Sequence, residues 1–336
     1  MTLTREPVLA EFEAHRRELS GYCYRMLGSA ADTDDAVQET MIRSWQAADR
    51  FEGRSSVRSW LYRIATNVCL DMLRARRRRA APTELGPAMP PVQSSLTGVL
   101  PEGSWVSPIA DERVLPPEAD PAEVSELRES VRLAFVAALQ HLPPRQRAVL
   151  ILCEVLRWQA AEVAALLDTS VAAVNSALQR ARTTLAGAPT MLRPALDLDT
   201  TDLLEQYIAA FESYDIDRFV SLLHADAVQS MPPFAMWLRG REDIGAWMRG
   251  VGSGCEGSRL LPVAANGCPA VGQYRRADQG RPHDPAATGY LPWGLHVLDV
   301  VDGQIAEIHT FLAGHDVPGS DPGLFARFGL PARLPA

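Results

Sequence analysis

The chain has no lysine; all 33 of its cationic side chains are arginine. That bias follows the base composition of a GC-rich coding sequence and carries no mechanism. Cysteine is scarce. The five present (Cys23, Cys69, Cys153, Cys255 and Cys268) are scattered, with no C-x-x-C pair. An odd, dispersed set argues against a disulfide framework and against a zinc site, and fits small buried apolar groups instead. Long apolar runs are also missing: none approaches the ~20 residues that a spanning helix needs. The opening MTLTREPVLAEFEAHRREL lacks the apolar core of a signal peptide. A cytoplasmic chain with no membrane partner is expected.

What is present suits globular domains: 47% hydrophobic residues and a mean hydropathy of -0.07. A length of 336 residues accommodates two or three domains at roughly 100–200 residues each. The net charge of -8 argues against nucleic-acid binding until it is divided along the chain. Residues 1–80 hold 14 arginines against 11 acids, and residues 131–190 hold 6 against 3. Residues 81–130 hold 2 against 9, and residues 191–336 hold 11 against 18. Two basic segments therefore alternate with two acidic ones. The basic pair permits contact with DNA, and the acidic pair suggests another task.

Periodicity gives the organisation. Residues 1–80 read as helical, 81–122 as a proline- and acid-rich linker without apolar periodicity, and 123–190 as helical again. Residues 200–336 read as α+β. Helices are expected at 202–214, 217–223 and 241–250, a strand at 227–231, then further strands to Leu312. Asp302-Gly303 between two β-rich runs marks a hairpin with a type I′ turn.

In the first basic segment, Asp32 reads as a helix N-cap worth ~1 kcal/mol, with Asp34 and Asp35 in the first turn. Val37, Met41 and Trp45 form an apolar stripe. Asp35, Gln38, Glu39 and Arg43 lie off that stripe. The next helix, capped by Ser55 or Ser56, buries Val57, Trp60, Leu61, Ile64, Val68 and Met72. Its other face offers Arg58, Tyr62, Arg63, Thr66, Asn67 and Arg74. An aromatic ring among arginines suits unpaired DNA, where each stacked base contributes ~1–3 kcal/mol. The helix runs into RARRRR at residues 74–79.

The whole run DTDDAVQETMIRSWQAADRFEGRSSVRSWLYRIATNVCLDMLRARRRR resembles region 2 of the extracytoplasmic-function (ECF) subfamily of σ70 factors. The resemblance implies that Asp35, Gln38, Glu39 and Arg43 dock on the β′ clamp helices of core RNA polymerase. It implies that Arg54, Ser55, Arg58, Tyr62, Arg63, Asn67 and Arg74 hold the opened −10 element.

In the second basic segment, Val131, Phe135, Ala138, Leu139 and Leu142 line an amphipathic helix stopped at Pro143-Pro144. Pro144 starts the next helix, which runs through Leu156. WQAAEVAALLDTSVAAVNSALQRARTTL then reads as a helix over 159–167, a turn at Asp168-Thr169 and a second helix capped by Ser170. That is a helix-turn-helix with Val171, Val174, Leu178, Ala181 and Leu185 facing inward. It is similar to σ region 4, which implies a β-flap contact and reading of the −35 element by Ser170, Ala173, Asn175, Ser176, Gln179 and Arg180. Ala173, Asn175 and Ala177 stand where the family pattern has Thr, Lys and Arg, and Gln159 replaces the usual capping serine. Fewer cations imply a smaller salt-dependent phosphate contribution.

The acidic extension resembles the SnoaL-like family, a cone-shaped α+β fold around a pocket. Trp237, His296 and His309 are candidates for a pocket that binds a small ligand; His224 and Asp226 join the two histidines as acid or base candidates, and Tyr290 and Trp293 join Trp237 as pocket walls. No nucleophile or paired-carboxylate constellation is visible, so no catalytic residue, metal or cofactor is assigned. The expected architecture is two all-α σ domains plus an α+β cone. The expected function is a σ factor whose extension tunes it by intramolecular contact, without catalysis. The rival readings are a polymerase-independent helix-turn-helix regulator and a cyclase-like or ligand-binding enzyme fused to a DNA-binding module.

Overall fold

The computed structural model describes residues 5–51, 53, 55–74, 78–101, 103–116, 121–186, 200–280, 288–314 and 317–336. They divide into two compact units: residues 1–80 with 111–192, and residues 81–110 with 193–336.

The first unit is helical. α1 (Arg5–Leu27) turns at Gly28, whose φ of 67° is readily available only to a residue without a Cβ. α2 (Ala30–Ala47) follows. Its N-cap is Ser29, whose Oγ accepts from the Asp32 N–H at 3.2 Å; the cap expected at Asp32 therefore moves three residues earlier. Asp32 is instead buried in the first turn and pairs with Arg79 at 2.6 Å. There it serves the positive end of the helix while neutralising a buried cation. α3 (Val57–Leu73) begins at Ser56, whose Oγ accepts from the Ser59 N–H at 3.1 Å. It packs on α1 and α2 through Leu61, Ala65, Val68 and Cys69, all buried. Trp60 tilts against Phe51 with ring centroids 5.1 Å apart, as core rather than as a stacking platform. Trp45 was expected in the apolar stripe of α2 but is 39% exposed.

After α4 (Pro121–Glu129) the chain breaks at Ser130, and the amphipathic helix expected from Val131 to Leu142 is α5 (Leu133–Leu139), shorter at both ends. α6 (Pro144–Leu150) has Pro144 in its first turn and ends in a π turn over Ile151–Val155. α7 (Ala160–Leu166) and α8 (Val171–Ala186) meet at 104°. Asp168 takes the left-handed conformation between them at φ 50°. The Ser170 hydroxyl accepts from the Ala173 N–H at 3.1 Å. At the Gln159 N-cap, Glu162 closes the first turn by accepting from the Gln159 backbone N–H at 2.8 Å. Val174 and Ala181 are buried, whereas Val171 is 44% exposed.

The second unit carries α9 (Thr201–Glu212), α10 (Ile216–Ser221) and α11 (Arg241–Arg249) against a six-stranded sheet. The strands are β1 (Leu223–Ser230), β2 (Trp237–Arg239), β3 (Arg259–Ala265), β4 (Cys268–Arg276), β5 (Tyr290–Val301) and β6 (Gln304–Leu312). Their order is β2-β1-β6-β5-β4-β3, with β1–β6 the one parallel pair. The β5–β6 hairpin turns at Asp302 and Gly303 with φ of 50° and 75°, the two left-handed residues of a type I′ turn. Tyr207, Phe211, Phe219, Trp247, Leu298 and Ile308 fill the space between helices and sheet. The opposite face near Gly272 is covered by Phe325 and Leu330 of the C-terminal tail. The Tyr274 hydroxyl donates to the Pro331 carbonyl at 2.8 Å.

Residues 81–110 are built into this unit. The Trp237 indole N–H donates to the Gly86 carbonyl at 2.8 Å, and the Met89 N–H to the Trp237 carbonyl at 2.9 Å. Leu100 and Gly98 bond the backbone of Pro233 and Ala235. Asn266 Oδ1 accepts from the Ile109 N–H at 3.0 Å, and the Asn266 N–H donates to the Ile109 carbonyl at 3.1 Å. Met89 and Leu96 join the core of the unit. The segment read as linker is thus a docked strap, which needs no internal periodicity because a neighbour supplies its hydrogen bonds.

Candidate polymerase and promoter interfaces

On α2, Asp35 and Gln38 are exposed and Glu39 is half-buried. Glu39 pairs with Arg43 at 2.6 Å, and Arg43 reaches Asp71 on α3 at 3.4 Å. The spacing of these four residues keeps them together on one side of the helix, backed by Ala36, Val37 and Thr40 in the core.

On α3 the residues of the expected −10 face divide: Arg63 and Asn67 are exposed, Arg58 is half-buried and Tyr62 is covered. Tyr62 is fully buried. Its ring lies 5.3 Å from Tyr22 and 5.0 Å from Trp158, the residue just ahead of the helix-turn-helix. Arg58 bonds Glu18 at 2.8 Å and sits 5.2 Å from the Trp158 ring centroid. Arg63 donates to the Ala165 carbonyl at 2.8 Å, near the end of α7. Asn67 and Arg63 line a cleft of about 490 Å³ with Arg145 and the 165–168 turn. Ser55 and Arg74 are exposed, with Arg74 paired to Asp71 at 2.9 Å. Arg54 lies outside the described residues.

Buried arginines close the same seam. Arg147 of α6 donates to the Met26 carbonyl at the end of α1, to Gln140 Oε1, and to the Leu142 carbonyl at 3.1 Å. Arg25 of α1 bonds the Ser130 hydroxyl at 2.6 Å. Burial lowers both guanidinium pKa values to about 10, so both stay cationic at neutral pH. The carbonyls they meet are helix-end acceptors, where a cation is favoured. The Trp158 indole N–H is buried without an acceptor, a cost of ~1–3 kcal/mol that opening the seam would recover. Sequence reading missed Arg25, Arg147 and Trp158 as seam residues. The one available signal was a lone tryptophan outside the apolar period of either neighbouring helix.

On α8 the contrast is complete. Ser170, Ala173, Asn175, Ser176, Gln179 and Arg180 are all exposed; Ser170 caps the helix, and the other five lie away from the side of Val174 and Ala181.

In the second unit the three pocket candidates do not meet. His296 faces the helices. Its Nδ1 bonds the Tyr207 hydroxyl at 2.8 Å and its Nε2 bonds Gln273 Oε1 at 2.9 Å. Burial pushes its pKa down to about 3, so it is a neutral hydrogen-bonded core residue. His309 neighbours Thr310, the cross-strand partner of His296, so it points to the other face of the sheet. There its Nδ1 meets Ser230 Oγ at 2.8 Å and its Nε2 meets Glu307 at 2.9 Å. Trp237 holds the strap.

Comparison with known proteins matches these parts to three families. Residues 12–79 match Sigma-70 region 2, residues 132–185 match Sigma-70 region 4, and residues 204–308 match a SnoaL-like domain. The ECF RNA polymerase sigma factor SigG of Mycobacterium tuberculosis is 46% identical over 338 residues, spanning 97% of this chain and 84% of that one. The chain belongs to the ECF RNA polymerase sigma factors. A second σ factor of that organism, SigJ, is 28% identical over 285 residues, covering 80% of this chain and 84% of its own. The crystal structure of the M. tuberculosis SigJ superposes with a TM-score of 0.59 at 24% identity, over 96% of this chain and all of that one. It shares this fold, helical σ domains followed by a SnoaL-like cone. As a σ factor, the chain binds core RNA polymerase and promoter DNA. No helix among the described residues is long and apolar enough to cross a membrane.

Proposed function

We propose that this σ factor is held in a closed, promoter-incompetent arrangement, and that its SnoaL-like domain governs opening by holding the chain between the two DNA-binding segments. The −10 and −35 elements lie roughly 25 base pairs apart, about 85 Å at about 3.4 Å per step. Helices in contact lie about 8–10 Å apart. With α3 packed on Trp158 and α7, the two readers cannot engage both elements at once. The seam must part before the promoter is opened.

In the open form, Asp35, Gln38, Glu39 and Arg43 take the polymerase β′ clamp helices, and the region 4 segment takes the β flap. Ser55, Arg58, Tyr62, Arg63, Asn67 and Arg74, with Arg54, take the −10 strand, while the exposed face of α8 takes the −35 duplex. The protein works where polymerase works, in the cytoplasm. The SnoaL-like domain acts here by binding. Its central histidine has both nitrogens committed within the core, which leaves no free acid or base there.

The observation that carries the regulatory reading is the strap over residues 86–110, fixed to β2 and to Asn266. Run-off transcription with core polymerase on a promoter library tests it, comparing the full chain with Trp237→Phe/Asn266→Gly and with a chain lacking residues 200–336. The expected result is altered promoter-specific transcript from both. Unchanged transcription from both overturns the regulatory role and leaves a plain σ factor. A polymerase-independent regulator would give no run-off product at all.

A further inference from the structure

Where the proline-rich segment ends, residues 111–115 leave the strap and dock on α1 and α2. Asp111–Arg113 form a single turn, with the Val114 and Leu115 N–H groups both donating to the Asp111 carbonyl at 3.0 and 2.8 Å. Val114 and Leu115 are 4% and 7% exposed, so this short piece is anchored by apolar burial. The anchor depends on a glycine. A Cβ on Gly21 of α1 would lie 3.1 Å from the Val114 carbonyl oxygen, closer than side-chain carbon normally comes. Once seated, the turn aims Arg113 at Asp34 on α2, where the two form an ion pair.

Asp34 is one helical turn before Gln38, and both line one groove of about 580 Å³ together with Val37, Met41, Arg113 and Glu112. Arg113 therefore lies at the head of the surface assigned above to polymerase. The segment is polar where it meets Asp34 and apolar where it meets α1, as a bound helix partner would be. Its pair is half-exposed, with the Asp34 side chain 44% accessible, so it can be exchanged for another cation without stranding a buried charge.

We propose that residues 111–115 are a self-docking strap on the polymerase-facing groove, and that a basic side chain of a polymerase helix replaces Arg113 at Asp34 on binding. The inference rests on the reading of α2 as the polymerase handle, and the test separates the two. Affinity of the full-length chain for core polymerase is titrated for wild type, Arg113→Ala and Gln38→Ala. Hydrogen exchange at residues 111–115 is followed with and without polymerase. Removing Arg113 should tighten binding about two- to five-fold at low salt, as expected for an exposed pair, with the gain shrinking as salt screens the competition. Gln38→Ala should weaken binding. The Val114 and Leu115 amides should lose protection in the complex.

Equal or weaker binding by Arg113→Ala, or full protection of 111–115 in the complex, overturns the strap even if Gln38→Ala behaves as expected. Unchanged affinity of Gln38→Ala together with tighter Arg113→Ala keeps the strap and narrows the handle to Asp34. If neither variant shifts affinity, both readings fail.

Discussion

The two helices expected to face DNA, α3 and α8, present their side chains differently. Every residue of the expected −35 face on α8 is exposed. On α3, by contrast, Tyr62 is fully buried, Arg58 is shared between Glu18 and Trp158, and Arg63 is bonded to the helix-turn-helix itself. The difference follows from what each face reads. A duplex reader touches a groove with small polar side chains, which lose nothing by waiting in water. A single-strand reader needs a ring for bases to stack on, and an exposed ring costs apolar surface until DNA arrives. Packing Tyr62 against Trp158 removes that cost and, under the proposed closed arrangement, makes opening conditional.

The largest test of this contrast is Trp158→Ala. Loss of a buried tryptophan costs about 3–5 kcal/mol, reduced here by relief of its unpaired indole N–H, so urea unfolding of the helical unit should show about 2–4 kcal/mol. Binding of a single-stranded −10 oligonucleotide should rise, while −35 duplex binding by α8 stays put. Equal effects on both would erase the distinction between the helices. Arg147→Met comes next. It keeps the aliphatic stem and removes the bonds to Met26, Gln140 and Leu142, a loss of about 2 kcal/mol for a charged donor with several acceptors. The same oligonucleotide should again bind more tightly, since this seam bond lies away from the DNA-facing residues themselves.

Much of this was legible from local chemistry. Pro144, Ser170 and Asp302-Gly303 set element starts and a turn where expected, because caps and left-handed turns are decided by neighbours in sequence. The division of α3 into a core side and a polar side was only partly right, since Tyr62 and Thr66, placed on the polar side, are buried. What covers the polar side was not legible. Trp158 meets Tyr62 across 96 positions, and Arg147 meets Met26 across 121; no period connects such pairs. The strap was missed for a related reason. Met89, Leu96 and Ile109 have no spacing of their own, and their partners Trp237 and Asn266 belong to another part of the chain. The pocket trio failed on register: a two-residue turn alone would set His296 opposite His309, but the irregularity between Asp299 and Val300 shifts the pairing by one, so His296 meets Thr310 and the two histidines lie on opposite faces.

On α8, Gln179→Ala should cost about 1–3 kcal/mol at one base-pair position and little elsewhere, read by competition among duplexes varied one position at a time. The sparse cations of this helix should also give a shallow dependence of log affinity on log salt. A steep slope would mean that phosphate contacts, not the exposed amides, carry α8, and the simple contrast of a base reader against a covered strand reader would need redrawing.

The smallest effect on stability discriminates most finely. Arg63 has two tasks in this reading: it clamps the Ala165 carbonyl in the closed form and meets the strand phosphate in the open one. Arg63→Ala removes one exposed hydrogen bond, so unfolding should shift by under about 1 kcal/mol. If the clamp were its only role, loosening the seam would raise single-strand binding, as Trp158→Ala does. If Arg63 also contacts phosphate, binding should fall in spite of the looser seam, and the salt slope should drop by about 0.7, the counterion contribution of one phosphate on a single strand. The opposite signs of Trp158→Ala and Arg63→Ala on the same oligonucleotide would therefore separate the residue that covers the α3 face from the residue that works on it.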